Sequence, residues 1–386
     1  MSMSLIIISD LVRIEDRGVF QSHLNFAFGL GSAAGAAFGG FLCDSLGWRW
    51  AFGTAFTKST YLRALRTLII LPGIQIPFLA VAFFAAVLFA PNELGPMLIK
   101  RKSSDLNQSG SNAWEALRNF DSTGSALLLI SVTFLILALN LGGNLFPWIS
   151  TVVLTSFAVF AVTATCLVLI ERHAKQPVMP LRLLTKPPVA NMVFANFLGG
   201  IASNTVLFNV PLFFQAVLLA SPTSSGLRLA VPSIAGSLAG ISTGYIITYT
   251  RRLKPTLMAG AIIYLLGSVA MMFINENVTE LLSLVLITGV PLGQGFVFPN
   301  TMMSALAVSP QVDQAVVTTT LGLWRSLGVV MGVAVSSLVF QNLLAVTLEK
   351  TVQGADKDTV IEAVRRSVGA IRKLKAPYQA QGKFIS

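Results

Sequence analysis

Long stretches without a charged residue alternate along this chain with short, polar and mostly basic ones. The uncharged runs cover 18–43, 67–92, 122–170, 187–227, 229–250, 255–275, 281–312 and 326–348. A helix needs roughly 20 apolar residues to cross the hydrocarbon core of a bilayer, so these runs predict crossings. The run 122–170 is too long for one and contains the turn-like "LGGNLFPW", which divides it. The pattern then predicts helices at 18–43, 74–91, 122–141, 149–170, 189–213, 226–248, 255–274, 281–302 and 318–342. This is an all-α polytopic membrane protein with about nine transmembrane helices.

Composition agrees: 54% of the 386 residues are hydrophobic and 11% charged, with a mean hydropathy of +0.74. A water-soluble domain of this length does not show that balance. The net charge of +11 does not point to nucleic acid here, because cytosolic loops of membrane proteins collect Lys and Arg. Basic loops fall at 10–17, 92–121, 171–186 and 251–254, alternating with "LGGNLFPW", an uncharged link near 216–224 and the acidic "NENVTE". The basic set is expected to face the cytosol and the other set the exterior or a lumen.

Two places break the alternation. Residues 54–73 carry Lys58, Arg63 and Arg66 on the expected outer side. The tail from 349 places Val360, Val364, Val368 and Ile371 on one helical face among Arg365, Arg366, Arg372 and Lys373, a pattern suited to lying on a membrane surface. The Ser/Asn/Lys-rich stretch 97–121 reads as a flexible connector. The expected division is therefore 1–91, the end of one helix bundle; 92–121, a cytosolic connector; 122–348, the remaining helices; and 349–386, an amphipathic basic tail. Cys43 and Cys166 lie in or beside apolar runs, which argues against a disulfide or metal site, and "MSMSLIIISD" lacks the basic start of a cleavable signal.

Candidate chemistry is sparse. "GLGSAAGAAFGG" puts Gly31, Gly35 and Gly39 on one helical face, and Gly328 with Gly332 repeats the spacing, which suits close helix packing. Arg325, in "LWRSLGVVMG", either sits deep in a helix facing a partner or wet cavity, or marks a helix start and snorkels to the interface. Asn196, Asn204, Gln215, Gln294 and Asn300 are polar positions inside apolar runs, near Pro211, Pro291, Gly293, Gly295 and Pro299. Each alone suits an interhelical hydrogen bond; together they suggest a polar path. No Asp or Glu falls in the nine predicted spans, although proton coupling commonly uses one. His23 and His173 have no metal-like or nucleophile-like companions, and no paired set for an intramembrane enzyme is present.

"ISDLVRIEDRGVFQSHLNFAFGLGSAAGAAFGGFLCDSLGWRWAF", "ALNLGGNLFPW", "HAKQPVMPLRLL", "VPLFFQAVLLASPTSSGLRL" and "DQAVVTTTLGLWRSLGVVMGVA" resemble the fourteen-helix drug:proton antiporter branch of the major facilitator superfamily. The likeness is to fungal vacuolar basic amino acid and multidrug transporters. Gly39 and Gly40 match the antiporter signature of that branch, in which Gly-Pro is replaced here by Gly35 and Ala36; Gly31 extends the same stripe.

The resemblance implies a partial major facilitator fold, the helices corresponding to the family's fifth to thirteenth. It implies alternating access about a midplane site, driven by a proton gradient without a bound cofactor. The expected partners are a lipid bilayer and a small-molecule substrate, in a vacuolar or plasma membrane; the oligomeric state is left open. The implied function is efflux or vacuolar uptake of basic amino acids or drugs, against the alternative of a non-transporting fragment. Substrate-path candidates are Asn196, Asn204, Gln215, Gln294, Asn300 and Arg325. Removing 54–73 restores the join "WRWAFGIQIPFLAVAFF" seen in such relatives, so these residues are expected to be a translated intron or similar insertion, or else a genuine lumenal insert or an extension of the next helix from about Leu65.

Overall fold

The computed structural model describes residues 17–46, 121–142, 146–174, 178–218, 220–275, 278–310 and 313–351. The expected insertion at 54–73, the helix at 74–91, nearly all of the connector and the basic tail lie outside the described residues. The helices are α1 (Arg17–Leu46), α2 (Ser122–Leu141), α3 (Thr151–Glu171), the short α4 (Leu181–Thr185), α5 (Val189–Ala216), α6 (Pro222–Thr250), α7 (Lys254–Ala270, continued by a 3-10 turn, Met271–Phe273), α8 (Glu280–Val308) and α9 (Gln314–Thr351). Among the described residues eight helices are long and apolar enough to cross a membrane.

Capping chemistry sets several ends differently from the hydropathy pattern. α6 starts at Pro222 rather than 226, because Ser221 accepts the Ser224 N–H and Pro222 occupies the first turn, where its missing N–H costs nothing. α6 stops where Arg251 turns to φ 53°, a left-handed ending of the kind that closes helices. α2 begins where Asp121 accepts the Gly124 N–H at 2.7 Å. α8 runs through Pro299 to Val308, and α9 spans 314–351, well beyond the expected 318–342. Glu171, one residue past the expected span 149–170, is the last residue of α3 and is 4% exposed. Asp44 and Glu280 likewise fall inside the ends of α1 and α8. The Glu171 carboxylate accepts the Met179 N–H at 2.9 Å and so fixes the chain leading to α4.

The most extensive packing is between α1 and α6, followed by α7 with α8, α5 with α9 and α6 with α8; α2 and α3 pair with each other, and α2 also packs on α9. α1 and α6 run antiparallel: Gly18 lies against Thr248, while Asp44 at the other end accepts from the Thr223 N–H at 2.8 Å. Ser22 Oγ donates to the Ile241 carbonyl at 2.9 Å. The approach is close because Gly18, Gly29 and Gly40 of α1 meet Gly244, Ser237 and Pro222–Thr223 of α6.

That contact face does not use the predicted glycine stripe, whose expected neighbour at 74–91 lies outside the described residues. Gly31, Gly35 and Gly39 have no described neighbour within 4 Å of a built Cβ, whereas Gly40 is tightly packed. At about 100° per residue, Gly31 points roughly 200° away from Gly29. The four-residue glycine spacing is present, but α6 is packed by the opposite face of α1.

Two apolar clusters lie toward opposite ends of the bundle. One joins Val189 and Val193 of α5 to Met302 and Leu306 of α8 and Val317 and Leu321 of α9. The other joins Val210 and Phe214 of α5 to Leu229 of α6 and Ile287 of α8. The site lies between them.

Candidate functional site

Arg325 is held by backbone packing. α5 and α9 approach through Gly200, Gly328 and Gly332; a Cβ on Gly200 would stand 2.8 Å from the Arg325 carbonyl, and Gly328 and Gly332 sit on the carbonyls of Phe197 and Ile201. Gly328 and Gly332 therefore do pack as their spacing predicts. Arg325 lies eleven residues beyond the start of α9 at Gln314, or about 16 Å along a helix rising 1.5 Å per residue. It is thus deep in the span, which removes the snorkelling alternative. Its neighbour Trp324 is wedged edge-on between Phe194 and Phe197, each at 5.4 Å. Arg325 instead lays its guanidinium over the Phe298 ring, 3.6 Å from the centroid.

This guanidinium lines a cavity of about 300 Å³ between α1, α5, α6, α8 and α9. Asn25, Ser203, Asn204, Gln294 and Arg325 supply polar surface, and Phe28, Leu229, Val290 and Phe298 supply apolar surface. A side pocket of about 20 Å³, lined by Asn196, Tyr264, Gln294 and Arg325, adjoins it. The larger volume is at the low end of the ~300–1,000 Å³ typical of small-molecule sites, and its apolar walls with a few polar groups match their usual make-up. Phe28 and Leu207, which line it, are exposed.

The polar groups are partly ordered. Tyr264 Oη donates to the Gly199 carbonyl at 2.9 Å and lies 2.8 Å from Ser203 Oγ. A phenol has one proton, so Ser203 is the donor in the second contact. Asn204 donates Nδ2–H to the Gly200 carbonyl at 3.2 Å, which leaves its Oδ1 as an acceptor.

The structure brings together Asn204, Gln294 and Arg325 on the larger cavity and Asn196 on the side pocket. Asn196 also donates to Thr301 Oγ1 at 2.9 Å, tying α5 to α8. Asn300 and Gln215 line neither cavity. Asn300 is fully buried and donates to the Phe296 carbonyl at 2.8 Å; Gln215 is half-buried near the end of α5. Asn300 is turned about 200° from the lining residue Phe298, whereas Gln215 shares the face of Asn204 but stands about 16 Å further along α5.

Sequence reasoning passed over Asn25, Ser203 and Tyr264, which look like ordinary polar residues until α1, α5 and α7 are packed. It also passed over Arg228. Its signal was available, since one arginine alone separates the uncharged runs 187–227 and 229–250. Arg228 sits early in α6, pairs with Glu280 at 2.9 Å and lies 4.8 Å from the Phe214 ring centroid.

Among the described residues lining either cavity there is no Asp, Glu, Lys or His. The ion pairs lie elsewhere, between Arg182 and Asp313 at one end of the bundle and between Arg228 and Glu280 toward the other. The described cavity therefore presents one positive charge in an otherwise neutral wall.

Comparison with known proteins is consistent with this architecture. The sequence signature of the Major Facilitator Superfamily matches residues 1–57. The chain is 30% identical to the vacuolar basic amino acid transporter 2 of Saccharomyces cerevisiae, over 92% of this chain and 70% of that protein. It is 27% identical to the multidrug resistance protein fnx1 of Schizosaccharomyces pombe, over 98% of this chain and 66% of the relative. It is 28% identical to the vacuolar membrane amino acid uptake transporter fnx2 of the same yeast, over 96% and 58%. The chain spans between 58% and 70% of the length of these curated relatives. It belongs to the major facilitator superfamily and is an integral membrane protein.

Proposed function

We propose that this major facilitator chain builds the substrate-binding part of a small-molecule transporter that works by alternating access. The observation that carries the reading is the cavity at mid-span, walled by α1 from one part of the chain and by α5, α6, α8 and α9 from another. Bundles that rock about a midplane site expose it to each side of the membrane in turn, and the two apolar clusters beyond its ends are suited to closing either exit. The substrates assigned are amino acids or drug-like molecules, as the names of the relatives suggest, in a vacuolar or plasma membrane. A proton gradient is the driving force taken from the family resemblance. The described cavity wall contains no carboxylate to carry that proton, so the coupling group is assigned outside it.

A chimera tests this. Residues 189–348 would replace the matching segment of the Saccharomyces cerevisiae relative, and uptake of radiolabelled basic amino acids into vacuolar vesicles would be followed. Uptake above that of empty vesicles, reduced at least about 10-fold by Arg325→Ala as expected for loss of a charged contact, is the predicted result. A chimera that reaches the membrane in normal amount and carries nothing overturns the assignment.

A further inference from the structure

Resting on that reading, we infer that the cavity selects substrates carrying a carboxylate, and that Arg325 is the group that pairs with it. Three observations carry this. Arg325 forms no ion pair among the described residues, where the two pairs present involve other arginines. Its position is fixed by the Gly200 and Gly328 backbone contacts and by the Phe298 ring beneath it, so no rearrangement is needed to present it. The described walls contain no second charge of either sign.

A guanidinium within a span is costly unless it meets a partner or a wet cavity. Stacking over Phe298 covers one face of the cation but leaves the in-plane N–H groups, which match a carboxylate in a two-pronged arrangement. Close by, Asn204 retains a free acceptor oxygen after donating to Gly200, and Gln294 lines both cavities. These are suited to the α-ammonium of an amino acid. Donor and acceptor together describe an amino-acid backbone headgroup, whose side chain then lies against Leu229, Val290 and Phe28. A purely cationic drug has nothing to offer Arg325 and is repelled by it.

The test uses the purified 386-residue chain in lipid nanodiscs, with equilibrium binding of radiolabelled L-lysine and competition by L-leucine, L-lysinamide and tetraphenylphosphonium. L-Leucine should compete, and the amide and the phosphonium should compete at least about 10-fold more weakly, as expected for loss of a charge-assisted contact. Arg325→Gln should weaken lysine binding by a similar factor, while Arg325→Lys keeps part of it. The wild-type competition series needs no variant to fold. Lysinamide or tetraphenylphosphonium binding as well as lysine overturns the carboxylate assignment and leaves the transporter reading in place. Absence of saturable binding by every probe overturns both.

Discussion

Arg228 of α6 meets Glu280 at the first residue of α8 across 2.9 Å, with the arginine side chain only 17% exposed and the glutamate 65%. Arg228 Nε and Nη1 have no hydrogen-bond partner, so Glu280 and the Phe214 ring are what compensate the cation. Two helices that wall the cavity are thus joined by an asymmetric pair. Removing the exposed member strands a charge; removing the buried member does not.

The first prediction follows directly. Glu280→Ala should destabilise the protein by about 1–3 kcal/mol, because the guanidinium is left without its anion. Arg228→Met should cost less, since an apolar replacement of similar length removes the desolvated charge. Thermal unfolding in detergent would measure both, and an equal or reversed order would refute the asymmetry.

Packing predicts a contrast among glycines. Gly267 and Gly289 bring the backbones of α7 and α8 together, with a Cβ on Gly289 only 2.6 Å from Gly267 Cα, and Gly244 is similarly filled by α1. Gly267→Val and Gly244→Val should each cost about 1–3 kcal/mol by overpacking. Gly31→Ala and Gly35→Ala project into space that no described residue occupies and should leave the melting temperature within a degree or two of the parent. A large loss at Gly31 would show that this face carries a contact of its own.

Asn196 and Thr301 form a buried bond of 2.9 Å between α5 and α8. In lipid such bonds average about 0.6 kcal/mol in double-mutant cycles. The cycle Asn196→Leu, Thr301→Val should return a coupling of about that size. A coupling near zero would mean the two groups do not depend on each other.

Helix direction predicts sidedness. The ends of α6 and α7 meet at Arg251, Arg252 and Lys254, whereas Ser45 of α1 lies at the opposite end, beside the start of α6. In a background lacking Cys43 and Cys166, a cysteine at Arg252 should be labelled by an impermeant reagent from the cytosolic face. One at Ser45 should be labelled from the other face. Labelling of both from one side would overturn the orientation.

Hydropathy by itself determined that the chain spans a membrane and where most helices lie, because burying an uncharged segment of twenty residues in lipid depends on composition and not on neighbours. It located Arg325, since a cation between apolar runs is visible in one dimension. It also marked Gly328 and Gly332, whose spacing is local. Tertiary packing alone decided which helical face of each element is used. It turned α1 so that Gly18, Gly29 and Gly40 meet α6 while Gly31, Gly35 and Gly39 do not. It turned Asn300 away from the cavity, and brought Asn25, Ser203 and Tyr264 to the cavity walls. The physical reason is that hydrophobic helices are apolar on every side, so the sequence carries almost no amphipathic signal for rotation. Rotation is set by backbone approach and by a few buried hydrogen bonds, and those exist only once the helices are assembled.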